Sequence, residues 1–191
     1  QAQIIISDSF PSNVWVLVQL IHRANKEVSI YWNGVEKVLG SSPLPLPLVT
    51  GRAWYLGGAT HWEGQSAFQG AMKEVAFFNG EMNVHSQEIT LSLPNEMTFG
   101  AVDSSVTGGI TSRTVVPSKP LDGGAFSFSA WVKCSNPSAS YTRIFDIGTG
   151  QADDNVILAF SGTTDSLGTN SNPEVITHDP TYASGMHSAS G

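Results

Sequence analysis

Glu27-Val28-Ser29-Ile30-Tyr31-Trp32-Asn33-Gly34-Val35-Glu36-Lys37-Val38 decides the fold class. Val28, Ile30 and Trp32 alternate with Ser29 and Tyr31, the period of two that sends successive side chains to opposite faces of a strand. Asn33-Gly34 then separates this run from a second strand-like run. Asn-Gly suits a type I′ turn, which needs positive φ at both central residues, so the stretch predicts a β-hairpin.

Working outward, the same signals recur. Upstream, Val14–Ile21 (VWVLVQLI) is a nearly continuous apolar run, predicting a buried strand. Downstream, SSPLPLPL places Pro43, Pro45 and Pro47 at alternate positions, which removes backbone donors and predicts an edge or a polyproline-like connection. Trp54–Gly58 reads as a strand ending in a turn, and Phe68–Phe78 as a strand closed by Asn79-Gly80. Glu81–Leu91 is the best helical candidate, one or two turns long. Ala125–Lys133 alternates cleanly, with Phe126, Phe128 and Ala130 on one face and Ser127, Ser129 and Trp131 on the other. Tyr141–Ile147 and Val156–Phe160 are further strands, and 162–191, rich in Gly, Ser, Thr and Asn, predicts loops and thin strands.

Composition agrees. Charged residues make up 13% of the 191, about half the usual share, and Gly (19) and Pro (10) are plentiful. That mix suits short strands joined by turns rather than helices with long charged faces. The net charge of −7, without a Lys/Arg cluster along the chain, disfavours nucleic acid and anionic membrane surfaces. No apolar run approaches the ~20 residues of a membrane span, and the opening residues carry no signal-peptide pattern. The single Cys134 permits no disulfide within the chain.

Several segments together resemble the laminin G-like, concanavalin A-like family. Leu121–Lys133 (LDGGAFSFSAWVK) is similar to its early Gly-x-Phe-Ser-hydrophobic-x-x-Trp-Val strand. Arg143–Gly148 and Asn155–Leu158 look like the strands that follow, and Trp15 with Ile30–Gly34 like the Tyr-x-Asn-Gly hairpin. Phe68-x-Gly70-x-Met72-x-Glu74-Val75 resembles the closing strand. The resemblance implies an all-β fold: an antiparallel two-sheet jelly-roll sandwich spanning 1–191. The order of the pieces is reversed, with 1–95 resembling the family's C-terminal half and 96–191 its N-terminal half. Circular permutation, a cut across a tandem repeat, or halves completed by neighbouring chains would each produce it.

The resemblance implies a non-catalytic binding or adhesion module, extracellular or at the cell surface, that recognises glycan or protein at a loop rim. A structural repeat or accessory subunit that self-associates is the alternative. A glucanase-like hydrolase is the third, but it needs paired carboxylates on one strand, and only Glu74 and Glu81 come near that pattern. Candidate ligand-binding residues are Trp54, Tyr55, His61 and Trp62, because sugar faces stack on aromatic rings. Trp15, Trp32 and Trp131 lie within strands and are assigned to the core. Calcium takes six to eight hard oxygens. Asp153-Asp154-Asn155 and Asp122 supply them in turns, and the family often carries such an ion at the rim. A polar turn using Asp and Asn for local hydrogen bonds explains the same residues without a metal. Cys134 beside Lys133 reads as a half-buried thiol or, less simply, as a thiol with a depressed pKa.

Overall fold

The computed structural model describes residues 2–5, 10–41, 53–58, 68–82, 87–100, 113–115, 117, 124–137, 142–148, 156–161 and 172–177. Among these residues every regular element is a strand. In chain order they are β1 (Ala2–Ile5), β2 (Val16–His22), β3 (Glu27–Trp32), β4 (Val35–Ser41), β5 (Ala53–Leu56), β6 (Gly70–Asn79) and β7 (Gln87–Ile89). There follow β8 (Glu96–Phe99), β9 (Arg113–Val115), β10 (Phe126–Cys134), β11 (Thr142–Gly148), β12 (Val156–Ser161) and β13 (Asn172–Thr177).

The strands form two antiparallel sheets. One runs β1-β13-β12-β11-β5-β9; the other runs β4-β3-β2-β10-β6-β7, with β8 also pairing β6. Strands from early and late in the chain interleave in both sheets. β10 lies between β2 and β6, with Phe128 opposite both Leu20 and Phe77. β1 pairs β13, setting Ala2 opposite Thr177.

The hairpin forms as its sequence requires. Asn33 and Gly34 have φ of 49° and 79°, the two positive values of a type I′ turn, and Trp32 faces Val35 across it. Asn33 adds a tie to the next strand: its N–H donates to the Leu17 carbonyl, and its Oδ1 accepts from the Leu17 N–H, both at 2.9 Å.

Period-two patterning fills the interior. Val16, Val18 and Leu20 of β2, Val28, Ile30 and Trp32 of β3, and Phe126, Phe128, Ala130 and Val132 of β10 all point inward. From the facing sheet come Trp54, Leu56, Phe145, Ile147, Val156, Leu158 and Phe160. Phe145 joins the layers, its ring 5.3 Å from Phe77 and 4.9 Å from Phe128. Phe10 does the same nearer one end, edge-on to Trp32 at 5.1 Å and Phe160 at 4.9 Å. Each fully buried side chain of this size contributes about 1.5–3 kcal/mol relative to exposure, so these rows hold the sheets face to face.

β6 solves a parity problem. Met72 and Phe77 both face the core but stand five residues apart, so strict alternation would turn one of them outward. The ladder with β10 slips between Ser129 and Trp131, and Glu74 takes a φ of 52°. One inserted residue corrects the phase, which is what a β-bulge does. At the start of the same strand Gly70 has a φ of 146°, and a Cβ there would lie 1.9 Å from the Lys133 carbonyl oxygen. Only glycine lets the two backbones approach so closely.

Two expectations are corrected. The helical candidate 81–91 contains a strand instead: β7 pairs β6, and Ile89 is buried opposite Phe77. Tertiary burial of one apolar residue on a sheet edge outweighs weak local helix preference. The run Val14–Ile21 is buried on one face only, because Leu17, Gln19 and Ile21 alternate outward and remain half-exposed.

Candidate functional site

The outer face of the seven-stranded sheet carries the most chemically distinctive cluster among the described residues. Its position follows from parity. On β10 the inward residues are Phe126, Phe128, Ala130, Val132 and Cys134, so Ser127, Ser129, Trp131 and Lys133 point the other way. Cross-strand register then builds rows. Leu17 of β2, Trp131 of β10 and Lys73 of β6 stand side by side. The next row holds Tyr31, Gln19, Ser129 and Ala76. On the other side, continuing the Val16–Val132 register sets Trp15 beside Lys133.

The side chains of these rows touch. The Lys73 ammonium lies 4.8 Å from the centre of the Trp15 ring and 5.9 Å from that of Trp131. The Lys133 ammonium lies 5.1 Å from the Trp15 ring. An ammonium this close to an indole face is attracted by the ring's quadrupole. Both indoles and both lysines are partly exposed. Among the described residues neither lysine has a carboxylate at ion-pairing distance. Glu96, opposite Lys73 on β8, and Glu74 on the bulge are both exposed on neighbouring positions. At the margin of the face Tyr31 donates its hydroxyl to Glu36 at 2.8 Å, and the Gln19 amide reaches the Met82 sulfur at 3.3 Å.

Trp15 and Trp131 therefore lie on the surface and not in the core to which their strand positions assigned them. The alternation of Ala125–Lys133 already put Trp131 on the serine face, and that parity was the legible signal. Trp15 was masked by its continuous apolar run. Trp32 is in the core as expected.

The other expected ligand residues separate. Trp54 and Tyr55 are consecutive on β5 and face opposite ways. Trp54 is 1% exposed and packs edge-on against Phe77 at 4.8 Å, so its ring has no face open to a sugar. Tyr55 is half-buried on the outside of the six-stranded sheet, in register with Asp146. His61 and Trp62 lie outside the described residues, as do Asp122, Asp153, Asp154 and Asn155. Among the described residues no cluster of three metal-ligating side chains occurs.

The remaining reactive groups have plain surroundings. Glu74 is exposed on the bulge, its N–H bonded to the Asn95 carbonyl at 3.2 Å. Glu81 is exposed beyond the end of β6 and pairs Arg23 at 3.6 Å. Five residues of extended strand, about 16 Å, separate Glu74 from Asn79, and Glu81 follows in the bend after the strand; catalytic carboxylate pairs stand about 5–9.5 Å apart. Cys134 is fully buried rather than half-buried, and burial pushes its thiol up to about 11. Its neighbour Lys133 points to the opposite face and does not activate it. A buried thiol of this kind holds its proton at neutral pH and is a poor nucleophile.

Residues 1–89 match the family model described as the Concanavalin A-like lectin/glucanases superfamily. No curated protein matches the sequence. The two antiparallel sheets have the sandwich architecture that this superfamily likeness and the sequence both imply.

Proposed function

We propose that this laminin G-like, concanavalin A-like sandwich is a non-catalytic glycan-binding module whose recognition surface is the outer face of its seven-stranded sheet. The superfamily likeness supports a carbohydrate- or protein-binding module, and laminin G-like domains are generally non-catalytic and typically extracellular. The observation that carries the finer reading is the pair of partly exposed indoles, Trp15, one residue before β2, and Trp131 of the adjacent β10, both close to Lys73.

A sheet has little use for large rings on its solvent side unless something covers them. Indole faces stack against the C–H faces of pyranose rings, and burying a large aromatic surface is favourable whatever the sugar's substituents. The neighbouring row of Tyr31, Gln19 and Ser129 supplies hydroxyl and amide groups for the sugar hydroxyls. A rigid sheet holds all of these at fixed spacing, so little ordering cost is added on binding. This surface differs from a loop rim in lying on strands that the hairpin and the bulge fix in register.

The test is titration of oligosaccharides against the intact chain and against Trp15→Ala and Trp131→Ala, with far-UV circular dichroism to confirm folding. Each replacement is expected to weaken binding about tenfold, on the scale of one lost aromatic contact. Unchanged affinity in both folded variants would remove this face from the function.

A further inference from the structure

Both sheets are composites of the two ends of the chain. β1 to β8 precede Gly100, and β9 to β13 follow it. β10 fills the gap between β2 and β6, so the early strands alone leave the seven-stranded sheet in two patches, β4-β3-β2 and β6 with β7 and β8. In the other sheet β5 stands between β11 and β9, and β1 lies against β13. Neither set of strands closes a sheet without the other. The gap is shaped for one strand. Gly70 has no Cβ to strike the Lys133 carbonyl, and the bulge at Glu74 matches the slip between Ser129 and Trp131. At one end the Asn13 N–H donates to the Cys134 carbonyl at 2.7 Å, and the Ser135 N–H to the Gln69 carbonyl at 2.8 Å. At the other end the Gly80 N–H donates to the Ala125 carbonyl at 2.8 Å. The Ser127 hydroxyl there accepts the Met82 N–H at 2.8 Å and donates to the Gly80 carbonyl at 2.9 Å. These contacts select β10 by sequence and register, and not by the chain that supplies it.

We propose that the gap between β2 and β6 also docks the β10 of a second copy of this chain, so that two chains exchange β9 to β13 and each sandwich is built from both. The exchanged and the self-closed forms make the same contacts, and only chain entropy separates them. That entropy gives self-closure a small advantage. His22 meets Phe126 roughly a hundred residues later in the chain, and the cost of closing a loop rises with its length. Even with the early strands in place, a flexible tether supplies an effective concentration of only about the millimolar order. Thirteen residues, 100–112, join β8 to β9, a reach of about 45 Å when extended, which serves either route. An empty gap also leaves β2 and β6 as bare strand edges that favour capture of another strand. A second copy is the partner because only a strand with the residues of β10 meets Gly70, the bulge and the Ser127 hydroxyl together. Exchange has a consequence for the outer face. Trp15 and Lys73 of one copy then stand beside Trp131 and Lys133 of the other, and one particle carries two such faces. The proposal stands whether or not that face binds a glycan.

The experiment refolds the full chain from denaturant at about 10 µM and at about 1 mM, the second matching the tether's effective concentration. Light scattering on a sizing column is expected to show monomer at the lower concentration and a dimer at the higher. The dimer should persist for hours after dilution, because separating it requires unfolding. Tagged and untagged chains should form mixed dimers when refolded together and none when mixed already folded. A second arm uses two variants. Gly70→Val has a blocked gap and an intact β10; Phe128→Asp has an intact gap and a spoiled β10. Refolded together, but not separately, they are expected to regain cooperative unfolding in one sandwich per pair of chains. Monomer at both concentrations, or dimers that form equally well from folded chains, overturns the proposal. A mixture of the two variants no more native than its members does the same, and the wild-type arm decides alone where either variant folds by itself.

Discussion

The two sheets present opposite kinds of outer face. On the six-stranded sheet, Asp146 is fully buried, Arg143 is 9% exposed and paired with it, and Ile157 and Ala159 form a small buried cluster of their own. All four project from β11 and β12 away from the main core. On the seven-stranded sheet, the equivalent positions carry Trp15, Leu17, Lys73, Trp131 and Lys133, and all of them remain partly exposed. A face closed over β11 and β12 and a face open around Trp15, Trp131 and the two lysines, though closed at Ser29 and Ser127, therefore flank a single interior. The lesson is that residue type alone does not reveal which side is solvated: the covered face includes a charged pair, and the open face is rich in tryptophan. Burial of the ion pair makes it a structural liability if broken, whereas Trp15 and Trp131 keep part of their surface in solvent.

The comparison can be broken most decisively at Asp146. Asp146→Ala removes the buried carboxylate that Arg143 pairs with, and chemical denaturation is expected to show a loss of about 3–5 kcal/mol. Replacing both members with apolar residues of similar volume should be nearly neutral by the same physics. If the single replacement costs no more than a surface change, the face is not covered as described.

Ile157→Ala and Leu17→Ala test the two faces with comparable apolar deletions. The first should cost about 2–4 kcal/mol because it empties a packed site, and the second less than about 1 kcal/mol because its side chain is already partly in water. Equal costs in urea titrations would erase the distinction.

His22 sharpens a different contrast, between the inner and outer rows of one strand. It ends the inward row of β2, is buried, and stacks against Phe126 at 5.9 Å. Burial holds its imidazole below the ordinary value of 6.5, and neither ring nitrogen has a hydrogen-bond partner among the described residues. The unfolded chain therefore binds the proton first as the medium acidifies. Stability is expected to be flat well above pH 6.5 and to decline as pH falls through 6.5 toward the lowered folded value. His22→Leu should remove that slope from a series of thermal melts; an unchanged slope would assign the acid sensitivity elsewhere.

The smallest expected effect is Lys73→Gln, about 0.5–1 kcal/mol from the lost attraction to two rings at a partly exposed site. A melting temperature lowered as much as by Ile157→Ala would mean that the aromatic and basic groups hold the sheet together instead of serving a ligand.

Much of this architecture was legible before any coordinates. The alternation at Glu27–Trp32 and Ala125–Lys133 and the Asn33-Gly34 turn each depend on local backbone chemistry, and each appears where its residues demand. The segment 81–91 was misread because a three-residue edge strand has too short a period to announce itself, and only contact with Phe77 makes Ile89 inward. The candidate site was less legible. Lys73 on β6, Trp15 just before β2, and the pair Trp131 and Lys133 on β10 are far apart in sequence, and no local pattern records that they meet.

What the sequence determined by itself was the sandwich: strand periodicity and turn chemistry are short-range, and they specify two-faced strands that must bury their apolar sides against each other. What only the tertiary structure decided was pairing and exposure. β10 inserts between β2 and β6, and the bulge at Glu74 sets the phase that leaves Lys73 beside Trp131. Those outcomes depend on register between distant segments, a long-range property fixed by the collective packing of both sheets rather than by any residue's own preference.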